Sequence, residues 1–268
     1  MKKISQLLTL ALLSSTILHA DIIMGVVPQQ APLKLQKVWQ PIATYLSEKT
    51  GEKVIFKTEK SISKFEDVLY KGGYDFAYMN PYHYVVSHKK QGYLAKLRAT
   101  KDIKGILVMK KGSALKTLNN DKARYLFPSP NAFAATLLTK YELIDIFKVD
   151  PKVLQKARYV NSHDSVYKAV SRGIGDVGGG IERTFKNLSD TQTKDNLLIV
   201  HTTKAYPSHP FAFHSKLSKQ TVENISEALL HMPESILKSL SIKGLKKINN
   251  TEYTSVKNLA IKLQIMPE

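Results

Sequence analysis

Short apolar runs alternate with stretches of helical periodicity along almost the whole chain, and this alternation constrains the fold more than any other feature. Ile22–Val27, Val54–Phe56 and Tyr74–Met79 read as strands. Between them Leu35, Val38, Trp39, Ile42 and Leu46 recur at helical spacing, with Gly51 as the stop and Pro41 as an internal kink or break. Ser63-Lys64-Phe65-Glu66 has the form of a capping box opening a short helix, and Pro81 suits the first turn of the next one. The pattern repeats with strands at Gly105–Met109, Arg124–Phe127, Arg158–Val160, Asp176–Gly178 and Leu197–His201. Helices are expected at Phe133–Phe147, Val166–Ser171 and Ile181–Leu188. Beyond the breaker-rich Ala205–Pro210, helices over Lys219–Met232, Pro233–Leu240 and Thr254–Ile265 close the chain. Such alternation implies an α/β fold with largely parallel sheets. No tandem repeat or low-complexity linker is present, so a second lobe has to be an insertion between strands.

The first twenty residues stand apart. Met1-Lys2-Lys3 is cationic, Leu7 to Leu18 is apolar, and Leu18-His19-Ala20 offers a cleavage site before Asp21. That order is the order of a secretory signal peptide, which predicts a periplasmic protein. The chain has no cysteine, so a lipid anchor, disulfides, thiolate metal sites and cysteine nucleophiles are excluded. Forty Lys and Arg against 22 Asp and Glu give a formal charge of +18. Loss of Lys2 and Lys3 leaves 38 against 22, or +16, which favours an anionic partner. Export argues against nucleic acid. The basic surplus is expected on exposed helix faces such as Lys243–Lys247.

Catalytic and cofactor motifs fail on context. Gly173-Ile174-Gly175-Asp176-Val177-Gly178 fits G-x-G-x-x-G, but it follows a helix and enters a strand, the reverse of a dinucleotide site. Its later glycines instead mark a close backbone approach. His83 and His88, like His209 and His214, are five apart, a spacing that aligns poorly on a helix or strand face, so no metal is expected. Ser162-His163-Asp164 is contiguous, whereas a triad converges from separate elements. Neither a cofactor nor an enzyme is expected.

Three segments carry chemistry. Phe127-Pro128-Ser129-Pro130-Asn131-Ala132-Phe133 joins a strand to a helix; Ser129 fits the N-cap and Pro130 the first helical position. The amides of Asn131, Ala132 and Phe133 would then face an anion, with the dipole in favour; plain capping is the alternative. Asn161-Ser162-His163-Asp164-Ser165 is a second such loop, in which Ser162 or Asp164 could cap and His163 sits at the ligand-binding edge of the sheet. In Tyr74–Tyr84, Tyr78 at the strand end and Tyr84 on the following helix offer phenol donors without charge.

Together with Gly25-Val26-Val27-Pro28-Gln29-Gln30, Trp39-Gln40-Pro41-Ile42, Tyr45-Leu46 and Gly105-Ile106-Leu107-Val108, these segments resemble, in order, the phosphate/phosphite/phosphonate ABC-transporter substrate-binding proteins. The resemblance covers essentially all of the chain after residue 20. It implies a two-lobed flytrap of the type II class, each lobe a mainly parallel sheet flanked by helices. Residues 21–104 and 206–268 would form the first lobe and 105–205 the inserted one. Carried over, Ser129 and the amides after it occupy the family's oxyanion-binding helix start, His163 an oxygen-contacting histidine and Tyr78 a cleft aromatic, with Gln29 facing the same cleft. The family often places two or three Ser or Thr at that helix start, whereas this chain has Ser-Pro-Asn-Ala-Phe. The implied protein is a monomer that captures a small oxyanion for an ABC permease. A ligand-sensing subunit of a membrane histidine kinase, or a binder of a different small ligand, is the alternative.

Overall fold

In the computed structural model, which describes residues 20–266, eleven strands form two sheets. The expected signal segment, apart from Ala20, lies outside the described residues. One sheet contains β1 (Ile22–Val26), β2 (Val54–Thr58), β3 (Phe76–Tyr78), β4 (Leu94–Ala99), β10 (Pro210–Phe213) and β11 (Leu245–Lys247), in the order β11-β4-β10-β3-β1-β2. The other contains β5 (Gly105–Lys110), β6 (Tyr125–Phe127), β7 (Arg158–Tyr159), β8 (Val177–Ile181) and β9 (Leu197–Thr202), in the order β7-β6-β8-β5-β9.

Each sheet has a parallel heart, β2-β1-β3 and β7-β6-β8, where helical crossovers return the chain to the same edge. Antiparallel strands are added where the chain passes between lobes: β10 beside β3 and β4, and β5 beside β8 and β9. The two passing segments pair with each other. Ile103 N–H donates to the Tyr206 carbonyl at 2.8 Å and Tyr206 N–H to the Ile103 carbonyl at 3.0 Å. This isolated bridge ties together the two segments that run between the sheets.

The helix Pro32–Thr50 runs through Pro41 without dividing. Pro41 lies on the solvent face, while Trp39, Ile42, Ala43 and Leu46 are buried; their burial outweighs the hydrogen bond proline removes. Gly51, in the left-handed region at φ 72°, ends it as expected. The next helix begins earlier than its capping-box pattern suggests. Ser61, not Ser63, caps Ile62–Leu69, with its hydroxyl accepting from Lys64 N–H. Leu94–Ala99 is a strand that its charged Lys96 and Arg98 disguise; Arg98 is buried between Asp102 and Glu252. Residues Leu245–Lys247, expected on a helix face, are instead the edge strand β11, paired with β4.

Candidate ligand site in the interlobe cleft

The carboxyl ends of β1, β3, β6 and β8 converge where the lobes meet, the edge at which open α/β sheets hold ligands. A small cavity of about 10 Å³ lies there. It is lined from one lobe by Val27, Gln29, Ile62, Asn80, Ile103 and His209, and from the other by Ala132–Ala135, His163 and Ile181. That is room for roughly one water, so the lobes must part to admit a larger molecule.

The helix start differs from the expectation. Ala132 is the cap residue, with no side-chain bond, and the first turn, Phe133–Leu138, is π-helical before α-helix resumes at Thr139–Asp145. The Ala132 carbonyl accepts from both Thr136 N–H (2.8 Å) and Leu137 N–H (3.2 Å), which is the widened turn itself. By position, the amides of Phe133, Ala134 and Ala135 lack intrahelical acceptors and belong to the cavity wall. Ser129 does not cap and does not line the cavity. Its carbonyl accepts from the Thr136 hydroxyl at 2.7 Å, and its own hydroxyl is buried without a partner. Pro130 precedes the helix by three residues, so the amides without intrahelical acceptors fall later in sequence than expected.

Glycine lets this turn lie on the sheet. An added Cβ at Gly179 of β8 would stand 2.0 Å from the Ala135 carbonyl oxygen, and one at Gly105 of β5 would stand 2.2 Å from that of Ala134. The glycines read in sequence, Gly175 and Gly178, instead pack against the side chains of Leu126 and of Val166 and Val170, and the seat of the helix start is Gly179 with Gly105.

His163 opens the helix His163–Ser171, is 2 % exposed and reaches the cavity. Its Nδ1 lies 3.0 Å from the Thr184 hydroxyl, which also contacts Tyr167 Oη at 2.8 Å. If Tyr167 donates to the Ile181 carbonyl, Thr184 can donate to Nδ1, leaving Nε2–H as a donor for the cleft. Burial, reinforced by the positive charge of Arg183, lowers the His163 pKa to about 3. The imidazole is thus neutral at ordinary pH. Ser162 caps this helix, accepting from Ser165 N–H at 3.1 Å, and stays out of the cavity.

Gln29 is the junction of the lobes. Its carbonyl accepts from His163 N–H at 3.2 Å, its amide nitrogen lies 2.8 Å from His209 Nε2, and its side-chain oxygen accepts from Arg183 Nη2 at 2.9 Å. Arg183 Nη1 also donates to the Tyr78 hydroxyl at 2.7 Å, and Tyr78 stacks on His209 at 5.3 Å between centroids. Asn80 caps the helix Pro81–Gln91 through its side-chain oxygen and donates from its amide across the cleft to the Asn131 carbonyl at 3.0 Å. Asn131 thus bridges the lobes through its carbonyl and does not itself line the cavity. Tyr84 is elsewhere: it packs on Tyr253 and donates to Asn250 Oδ1 at 2.6 Å, on the far side of the Pro81–Gln91 helix.

Three cleft residues, Asn80, Arg183 and His209, are not among the ligand-binding residues read from the sequence. Arg183 sets a guanidinium beside the Tyr78 hydroxyl and the Gln29 side chain, both named from the sequence. It is the second residue of the short helix Glu182–Lys186, which follows β8 directly at the same sheet edge, and that placement is the signal that could have found it. His209 is buried, and burial with the nearby Arg183 charge holds its pKa well below the usual histidine value.

Both neutral histidines tie stability to pH. Between about pH 3 and 6.5 the unfolded chain binds a proton at His163 that the folded chain refuses, so stability falls as pH is lowered through that range. Going from pH 7 to 5 should cost about 2 kcal/mol at His163, and His209 adds a loss of the same sign. Thermal unfolding should show a lower Tm at pH 5, with a smaller pH slope in His163→Gln; an equal slope would contradict this assignment.

Comparison with known proteins gives the chain its family. The family model for ABC transporter, phosphonate, periplasmic substrate-binding protein matches residues 24–253. A binding protein component of an ABC phosphonate transporter from Pseudomonas aeruginosa superimposes with TM-score 0.84 at 16 % identity, covering 92 % of this chain and 87 % of that one. PhnD1 from Prochlorococcus marinus, solved with methylphosphonate, gives 0.83 at 18 % identity, covering 92 % and 99 %. A histidine kinase sensor domain similar to periplasmic binding proteins gives 0.56 at 12 % identity, covering 90 % and 95 %. Two sheets flanked by helices, an interlobe cleft and a family match across most of its length establish that this chain belongs to the phosphonate periplasmic substrate-binding proteins of ABC transporters.

Proposed function

We propose that the chain captures a small phosphorus oxyanion, with methylphosphonate, phosphite and phosphate as the ligands to try first, and delivers it to an ABC permease. The carrying observation is the juxtaposition, around one small space, of the helix-start amides of Phe133, Ala134 and Ala135 with His163 from the same lobe and Gln29 and His209 from the other. Arg183 bonds Gln29 and Tyr78 at the margin of that space and has no carboxylate partner among the described residues. Amides and a neutral imidazole N–H donate to oxyanion oxygens, and the guanidinium balances their charge.

Residues 21–104 with 206–268 would move as one body and 105–205 as the other, turning about the Ile103–Tyr206 pairing. Closure would form the Gln29, Arg183 and Asn80 bonds across the cleft, so ligand and closed form stabilise each other. The protein would be exported through cleavage after Ala20 and act in the periplasm as an unlipidated monomer without catalysis. Among the described residues no helix is long and apolar enough to cross a membrane.

Thermal shift on refolded, ligand-stripped protein tests this reading. A millimolar phosphorus oxyanion should raise Tm by several degrees, as a ligand at about 100 times its Kd adds about 2.7 kcal/mol. His163→Ala should reduce the shift strongly. No shift with any of the three ligands, or an undiminished shift in the variant, would refute the site.

A further inference from the structure

Resting on that reading, we infer that the preferred ligand carries a second anionic group, as in a carboxyalkylphosphonate, and that this group occupies a separate basic cavity on the hinge side of the cleft. The inner cavity has room for roughly one water as it stands, so a substituent beyond the oxyanion head must lie outside it. Beside it, sharing the walls Ile103, Ile181 and His209, opens a cavity of about 250 Å³. Any substituent on phosphorus that points toward the hinge enters this space.

Its lining includes five cations, Lys101, Lys104, Arg183, Lys186 and Lys243, against Asp102 and Glu182. Both acids are already engaged. Asp102 accepts from Arg98 at 2.9 Å, and Glu182 pairs with Lys186 at 2.5 Å and Lys101 at 3.8 Å. The Glu182 carboxyl is held below its ordinary pKa by these lysines and by Lys104, so it stays ionised and offers no donor. Lys104 and Lys243 form no ion pair among the described residues, and both line this cavity from the body made of residues 21–104 and 206–268. Lys104 ends the passing segment before β5, and Lys243 follows the helix Glu234–Ser239. A carboxylate in this cavity would meet these two lysines from one lobe and Arg183 and Lys186 from the other. An ammonium, the charge of an aminoalkylphosphonate, would meet the same cations as repulsion. The apolar Ile103, Ile181 and Ile242 suit the short alkyl link between the two charges.

Titration calorimetry with methylphosphonate, phosphonoacetate and 2-aminoethylphosphonate separates the possibilities. Wild-type protein should bind phosphonoacetate on the order of tenfold tighter than methylphosphonate, the contribution of two exposed, screened lysines. That ratio should fall toward one in Lys104→Met/Lys243→Met. It should persist in Lys116→Met/Lys122→Met, which removes the same charge from an exposed loop away from the cleft. A wild-type ratio near one, tighter binding of 2-aminoethylphosphonate, or equal loss in both double variants would overturn the inference while methylphosphonate binding upholds the proposed function. Failure of all three ligands to bind would overturn both.

Discussion

Gly179→Ala should abolish tight phosphonate binding and lower Tm by about 5–10 °C, the loss expected of about 2–3 kcal/mol of overpacking in a domain of this size. The new Cβ would stand 2.0 Å from the Ala135 carbonyl oxygen, a backbone atom that no rotamer change can move aside. Either β8 or the π-helical turn has to shift, and the amides of Phe133–Ala135 shift with it. Binding suffers more than stability, because a donor displaced by an ångström loses its hydrogen bond, whereas the core can relax in part. Gly244→Ala is the control: its Cβ would meet only the Thr100 methyl at 3.8 Å, an ordinary contact. Calorimetry and thermal unfolding of the two variants side by side check the claim. Wild-type affinity and Tm in Gly179→Ala would show that the helix start is not seated as described.

Arg183→Met should weaken methylphosphonate binding by about 10- to 100-fold, the range expected for losing 1.5–3 kcal/mol of charge-assisted hydrogen bonding. The guanidinium is half-buried and held by two neutral groups, the Tyr78 hydroxyl and the Gln29 side-chain oxygen. Without a carboxylate to neutralise it, its charge is available to an anion. The substitution also removes two of the bonds that join the lobes, so small-angle scattering should show a more open unliganded form. Arg183→Lys keeps the charge but loses the two-pronged geometry, and its affinity should fall between the two. Binding within twofold of wild type in Arg183→Met would remove this residue from the site.

How much of this could be read from the sequence depended on whether the signal was local. Gly51 and Asn80-Pro81 mark helix ends by conformations their own residue types favour, and the structure puts helix ends there. Ser162 is a cap for the same reason. The His163 and Gln29 positions followed from strand-to-helix loops at the sheet edge, which topology alone brings to the cleft. Ser129 misled because Ser-Pro is a strong local start signal, yet the chain uses the next three residues to enter a π-turn pressed onto Gly105 and Gly179. Nothing near Ser129 in sequence reports that pressure. Tyr84 misled through helical phase: it sits on the face of its helix that packs against Tyr253, some 170 residues later in the chain. Arg183 and His209 were missed because a lone Arg after a strand is marked only by its place at the sheet edge, and a His among breakers has no pattern. Their roles arise from Tyr78 and Gln29, supplied by the other end of the chain.

Calorimetric titration of methylphosphonate into ligand-stripped wild-type protein at pH 7 tests the central claim most directly. A neutral His163, the three helix-start amides and Arg183 predict saturable one-to-one binding with a Kd at or below about 10 μM, close to −7 kcal/mol. Absence of measurable heat at millimolar methylphosphonate, phosphite and phosphate alike would contradict it.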